Sequence, residues 1–497
     1  MNELTRKLLP VLLLTVLFGA AAQSGSAQTV ATYHGRPDRA GNFAMPAFTW
    51  ERARTLRLDA GFAPRFAGHL YAQPLYWKPS GSTAGLLIVA SEGNTVAAID
   101  AASGRTVWSR TLGRPAPLSA FACGNIDPLG ITGTPVIDEG SGTLFLDAMI
   151  VEPAGPRHKL FALALADGAI RPGWPIDVGE ALRAAGQRFD PRVQNQRGAL
   201  MLLDGNLYVP YGGFFGDCGD YHGWVVGVAI GDPRRVFAWS TTARGGGVWA
   251  PGGIASDGRS LYVTTGNTIG AREWADGNAA FRLDPDLRHS ERPADYFAPP
   301  DWRALDTRDA DLGGTNPLPL HLPGSGGTLP LLLALGKDER AYLLDRRNLG
   351  GIGGSLVAER VASYPIRTAP AAYPGPDGIY TAFQARGARC PAGQRGDLTV
   401  LYITGGARPR LTTAWCGAMA GGGAPIVTTT DGRSNPIVWI VGAEGDNRLH
   451  GFRGDTGETL FDGPPLAGLR HFQTLLAADG RLYVGADSRL YAFSLAP

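Results

Sequence analysis

The sequence predicts an all-β chain, an eight-bladed antiparallel β-propeller, and three observations lead there. Strong segments are short, rich in Val, Leu and Tyr, and closed by Gly, Asp or Pro, the pattern of strands between turns. Such runs lie at 86–90, 143–150, 207–211, 261–265, 341–345, 438–441, 482–484 and 490–493. Long helix-period stretches are missing, and 179–187 alone reads as a short helix. A Thr-, Gly- or Pro-bearing opening segment recurs at roughly 50–65 residues or about twice that, and a period near 50 implies a repeat architecture.

The chain begins with an expected export signal at 1–27: Arg6 and Lys7, an apolar run over 8–22, then small residues with Ala20 and Ala22 or Gly25 and Ala27 as the pair before the cleavage site. The apolar run is shorter than the roughly 20 residues of a spanning helix. No later segment is long and apolar enough to span, so a periplasmic or secreted protein is expected.

The remaining chain, 28–497, divides into eight units that start near 70, 131, 196, 247, 312, 367, 421 and 470. Opening segments are Gln73-Pro74, Thr134-Pro135, Asn316-Pro317, Ala369-Pro370 and Ala424-Pro425. Four-stranded sheets set radially leave only short, protected edges, which keeps a long all-β chain soluble. Closure requires the two ends of the chain to share a blade, so 54–59 should pair with the blade that holds 490–493.

One unit carries its motif in full. Residues 98–108 read A-x-D-x-x-S-G-x-x-x-W, in which Asp100, Ser103 and Gly104 make a tight turn. Trp108 then offers a flat surface to the next blade. Residues 451–461 are a weaker copy with Phe461 in the Trp place, and 162–168 are weaker still.

Seventy glycines and thirty-seven prolines imply many turns, and the net charge is +2. That balance makes no electrostatic case for nucleic acid or anionic lipid. Four cysteines in an exported chain favour disulfides. Cys390 and Cys416 flank the strand 398–404 and are the first expected pair, which leaves Cys123 with Cys218. No C-x-x-C-H motif occurs, so no c-type haem is expected. Nucleophile-elbow, H-E-x-x-H and P-loop motifs are missing too, and the eight histidines are scattered. The glycine-rich run 350–354 reads as a loop.

The tryptophan motif and the eightfold count resemble the quinoprotein alcohol dehydrogenase-like propellers. That family holds dehydrogenases using pyrroloquinoline quinone (PQQ) and also a non-enzymatic outer-membrane assembly scaffold. The fold resemblance says nothing about catalysis, which must come from the site. The resemblance matches Gly245-Gly246-Gly247-Val248-Trp249 to the floor on which the quinone stacks, and Asn267 to a metal-binding Asn suited to hard Ca²⁺. It matches Asp311, with Asp309 as rival, to the general base, and Lys337 to the cation at the quinone oxygens. The alternatives are inter-blade packing for Trp249, a turn cap for Asn267, a solvated loop for the aspartates and a strand-end cation for Lys337.

The chain departs from the family where a metal-binding Glu is expected. That position holds Cys218, and the neighbours Asp217 and Asp220 are the only nearby carboxylates. The family's lid of adjacent bridged cysteines has no counterpart, though a bridge between Cys123 and Cys218 would stand near the axis. The resemblance implies a PQQ- and Ca²⁺-dependent dehydrogenase of alcohols or sugars with an external electron acceptor. The other expectation is a non-catalytic scaffold that binds a protein, peptide or glycan at its axial face. A glycan-active propeller would need a carboxylate pair facing a cleft. Convergence of Trp249, Asn267, Asp311 and Lys337 on one axial funnel separates these readings.

Overall fold

The structure is a computed structural model that describes residues 29–79, 81–82, 85–324, 327–406 and 408–496. The export signal expected at 1–27 lies outside the described residues. Eight sheets follow one another along the chain as blades spanning 75–111, 136–177, 201–240, 255–298, 318–360, 371–417, 426–462 and 475–495. Within each blade consecutive strands pair antiparallel. The ring closes as expected: Leu56–Leu58 pairs antiparallel with residues 493–495 and completes blade 8.

The tryptophan motif joins neighbouring blades. Asp100 accepts the Ser103 backbone N–H at 2.7 Å and so holds its turn. Trp108 of blade 1 donates its indole N–H to the Leu165 carbonyl of blade 2 at 2.8 Å. Its ring lies against Gly168, where a Cβ would stand 2.7 Å from the indole. Trp415 of blade 6 repeats the contact on blade 7, bonded to the Gly454 carbonyl at 2.7 Å. A Cβ on Gly457 would stand 2.6 Å from that indole. Both glycines have positive φ, so they suit the turn and leave room for the aromatic face.

The inner ends of the blades meet at the axis. Ala199, Ala369 and Ala424, from the openings of blades 3, 6 and 7, share one buried cluster with Tyr33. The segment after residue 29 therefore plugs the axial channel. His34 and Arg39 are fully buried there. The His34 backbone N–H donates to Gln73 at 2.8 Å, and its ring bonds Thr474 at 3.1 Å. Arg39 donates to the Ile254 carbonyl at 2.9 Å and to the Leu200 carbonyl at 2.7 Å. One short segment thus ties blades 1, 3, 4 and 8. Burial pushes the His34 imidazole down to about 3, so it stays neutral at physiological pH.

The structure corrects the sequence reading at several points. Helices occur at Trp50–Ala53 and Trp302–Arg308 as well as at Val178–Ala184. The acidic run expected as a loop before blade 5 is therefore partly helical. Its heptapeptide is too short for a helical period to show. Gly351–Ile352, read as loop, adds a parallel edge strand to blade 4 beside Phe297 and Ala298. Arg346 reaches Asp257 at 2.8 Å and links blade 5 to blade 4.

Candidate functional site

The glycine turn at 245–249 is stitched to its surroundings by backbone bonds. Gly246 N–H donates to the Asn267 carbonyl at 2.6 Å, and Gly266 N–H to the Gly247 carbonyl at 2.9 Å. Trp249, half-buried, is thereby held beside the end of the strand Leu261–Thr264. A Cβ at position 266 would lie 2.8 Å from Asp311 Oδ2 and 3.1 Å from Trp249 Nε1, so the Gly266 site admits no side chain.

Trp249, Asp311 and Lys337 converge. The Trp249 indole N–H donates to Asp311 Oδ2 at 2.8 Å. Lys337 Nζ lies 2.9 Å from Asp311 Oδ1 and 5.2 Å from the centre of the Trp249 ring. The Lys337 backbone N–H also donates to the Asp311 carbonyl at 2.9 Å, so main chain and side chain are both paired. Asp311 is 2% exposed, and its Oδ1 receives no well-directed hydrogen bond among the described residues. Burial pushes the Asp311 carboxyl above its ordinary value, and Lys337 and the Trp249 N–H oppose that without cancelling it. Burial alone would lower the Lys337 ammonium, but Asp311 and Asp309 outweigh it and hold it above its ordinary value.

Asn267 joins the same cluster through Asp309. Its amide N–H donates to Asp309 Oδ1 at 2.9 Å, and Lys337 reaches that oxygen at 2.7 Å. The Asn267 carbonyl oxygen accepts from Asn278 at 3.2 Å. Asp309 caps the helix Trp302–Arg308 in the left-handed region, with its side chain 72% exposed, whereas Asp311 is enclosed. Asp306, on that helix, anchors the Thr268 backbone at 2.9 Å and Asn278 at 2.7 Å.

The expected metal ligands do not come together. Asp220 is 85% exposed, with the His222 ring 4.0 Å away. Asp217 accepts from the Tyr221 hydroxyl at 2.6 Å. Cys218 is bridged to Cys123. Among the described residues no group of three His, Cys, Asp or Glu is disposed to hold a metal. The donor set therefore does not fit Ca²⁺, which needs six to eight oxygens and gains affinity from carboxylates.

Both expected disulfides form, Cys390 with Cys416 and Cys123 with Cys218. The second joins the long connection between blades 1 and 2 to a loop of blade 3. Phe121 and Phe214 pack beside it with ring centres 4.6 Å apart. Ile126, on the same connection, reaches the axial pocket.

That pocket contains residues the sequence reading missed. About 360 Å³ of solvent-connected space is lined by Tyr33, Tyr71, Thr132, Arg197, His471 and Phe472, among others. Most of that space is open solvent; the enclosed part is about 10 Å³, room for about one water. The Arg197 guanidinium carbon lies 6.0 Å from the Trp249 ring centre and 5.8 Å from that of Phe472. Behind the wall, fully buried Glu92 accepts the Gly130 N–H at 2.7 Å. Burial, only partly offset by that N–H, pushes Glu92 up to about 7. Arg197 belongs to the opening of blade 3, which lacks the proline that marks other openings, so nothing local singled it out.

No protein-family model matches the chain, and no curated protein sequence does. Solved structures do match. The quinohemoprotein alcohol dehydrogenase of Comamonas testosteroni superposes with a TM-score of 0.66 at 16% identity, over 94% of this chain and 80% of that one. The quinohemoprotein alcohol dehydrogenase ADHIIG of Pseudomonas putida HK5 gives 0.66 at 13%, with the same coverage of 94% and 80%. A europium-containing methanol dehydrogenase gives 0.62 at 13%, over 94% and 98%. The chain has the eight-bladed quinoprotein-type fold, and at these identities the likeness speaks for the fold alone.

Proposed function

We propose that the protein is an exported quinoprotein-like dehydrogenase that oxidises an alcohol or a sugar with bound PQQ and passes electrons to an external acceptor. The observation that carries this reading is the contact between Trp249, Asp311 and Lys337 beside the axial pocket. A half-open indole flanked by cations suits a flat, acidic quinone. PQQ, when bound, supplies the acceptor for the hydrogen and electron pair leaving the substrate carbon. Trp249 stacks on the ring system and also orients the base through its N–H. Asp311 takes the hydroxyl proton on Oδ1, the oxygen that Trp249 leaves free. Lys337 stays protonated and balances negative charge that develops on the quinone side.

Export is favoured by the leader-like start of the chain and by two disulfides, which persist in oxidising compartments. Among the described residues no helix is long and apolar enough to cross a membrane.

The metal misfit favours a second reading, a propeller that keeps the pocket without redox chemistry and binds a protein, peptide or glycan at its axial face. PQQ titration followed by Trp fluorescence, with dye-linked oxidation of alcohols and sugars, separates the two. Saturable quenching lost in Trp249→Ala, with turnover lost in Asp311→Asn, supports the dehydrogenase. Absence of both quenching and turnover supports the scaffold.

A further inference from the structure

Arg197 is the charged side chain in the axial pocket with the least to do. Among the described residues its guanidinium has no hydrogen-bond acceptor and no ion-pair partner; its contacts are the faces of Trp249 and Phe472. It is half-buried, so five N–H donors have given up water in part without replacement. Its carbon stands 6.0 Å from the indole centre, at the ~6 Å limit of a cation–π contact.

The charges around Trp249 are unequal. Asp311 is enclosed and paired with Lys337 at 2.9 Å, while Arg197 has no carboxylate within ion-pair distance among the described residues. Asp309 is 72% exposed and screened by water. Glu92 is held near half-protonation at neutral pH by burial. Meanwhile the oxygens that would build a calcium site are committed elsewhere. Asn267 is bonded at both ends of its amide, Asp217 is held by Tyr221, and the matched carboxylate position is a disulfide sulfur.

We infer that Arg197 and Lys337, in place of a divalent ion, supply the positive charge that holds a planar aromatic carboxylate over Trp249. The site is a two-cation clamp and binds without metal. Arg197 meets a carboxylate with its planar fork, which Lys cannot copy as a bidentate donor. The inference rests on Trp249 being the ligand platform, as in the dehydrogenase reading, and it concerns how that ligand is gripped.

The test is calorimetric titration of the purified protein with two probes, PQQ and the redox-inert naphthalene-2,6-dicarboxylate. Each is measured in excess EDTA, then with Ca²⁺ or La³⁺. The clamp predicts saturable binding of both in EDTA, with Kd shifted by less than about threefold on adding metal. Arg197→Gln should weaken both by about tenfold or more, and Arg197→Lys should recover part of that, at unchanged thermal melting. Binding of PQQ only with Ca²⁺ or La³⁺ overturns the clamp and leaves the quinone reading standing. Binding of the naphthalene probe without PQQ supports the clamp and removes the quinone reading. Failure of both probes under every condition overturns both, and an unchanged Kd in Arg197→Gln overturns the clamp.

Discussion

The indole N–H of Trp249 donates to Asp311 at 2.8 Å across 62 residues of sequence. That bond fixes a flat aromatic surface and a buried carboxyl relative to each other. It also leaves one carboxyl oxygen facing Lys337 and able to accept a proton. The arrangement requires the bare backbone of Gly266 between them, since a Cβ there would stand within 3.1 Å of both partners.

Asp311→Asn should lower dye-linked turnover by about 10²–10⁴-fold, the usual contribution of a positioned general base. The amide oxygen can still accept from Trp249, so PQQ affinity should change little. Turnover within a few-fold of the parent protein would remove Asp311 from the chemistry.

Turnover should rise with pH as Asp311 ionises, with the rising limb above the ordinary carboxyl value of 3.8, because burial raises this group. Lys337 opposes that rise, so Lys337→Met should move the limb to higher pH as well as slowing the reaction. A pH profile that keeps its limb in Lys337→Met would show that the pair is not coupled in solution.

Glu92 links pH to stability. Its folded pKa is raised from 4.5 to about 7, so the folded chain holds a proton that the unfolded chain has released across that window. Stability from this group is complete below 4.5 and is lost as pH rises through about 7. At about 1.4 kcal/mol per unit, the loss is on the order of 3 kcal/mol. Glu92→Gln keeps an acceptor for Gly130 and removes the charge, so its urea midpoint should exceed the parent's at pH 8 and match it near pH 4. Equal midpoints at both pH values would contradict the assignment.

Replacing Cys123 and Cys218 together by Ser should destabilise the fold by about 2–5 kcal/mol, since the bridge spans 95 residues. Because that bridge tethers the connection bearing Ile126, the double variant should also weaken PQQ binding. The Cys390 and Cys416 double variant, whose bridge spans 26 residues in blade 6, should leave PQQ binding unchanged. Calorimetry and chemical unfolding on both variants check this, and equal effects on binding would argue against a role for the first bridge at the pocket.

Much of the fold was legible because its cues are local. The turn of Asp100, Ser103 and Gly104 with Trp108 behind it is written in eleven consecutive residues, and its partner Gly168 lies in the next copy. The pairing of 54–59 with blade 8 followed from the need to close a ring. The helix Trp302–Arg308 was missed because two turns are too short to show a period, and it is the element that sets Asp306 and Asp309 against Asn267 and Asn278.

By itself the sequence determined the blades, the closure, the presence of disulfides and the residue types at Trp249, Asp311 and Lys337. Turn chemistry, strand period and cysteine count act over short stretches or by simple elimination. Only the tertiary structure decided that those three residues touch, that Tyr33 and His34 plug the axis, and that Arg197 lies over the indole with no hydrogen-bond partner among the described residues. The reason is geometric: a propeller brings the inner ends of eight blades to one axis, so residues from remote blades become neighbours. Whether a side chain there meets a partner or an open slot depends on the whole ring.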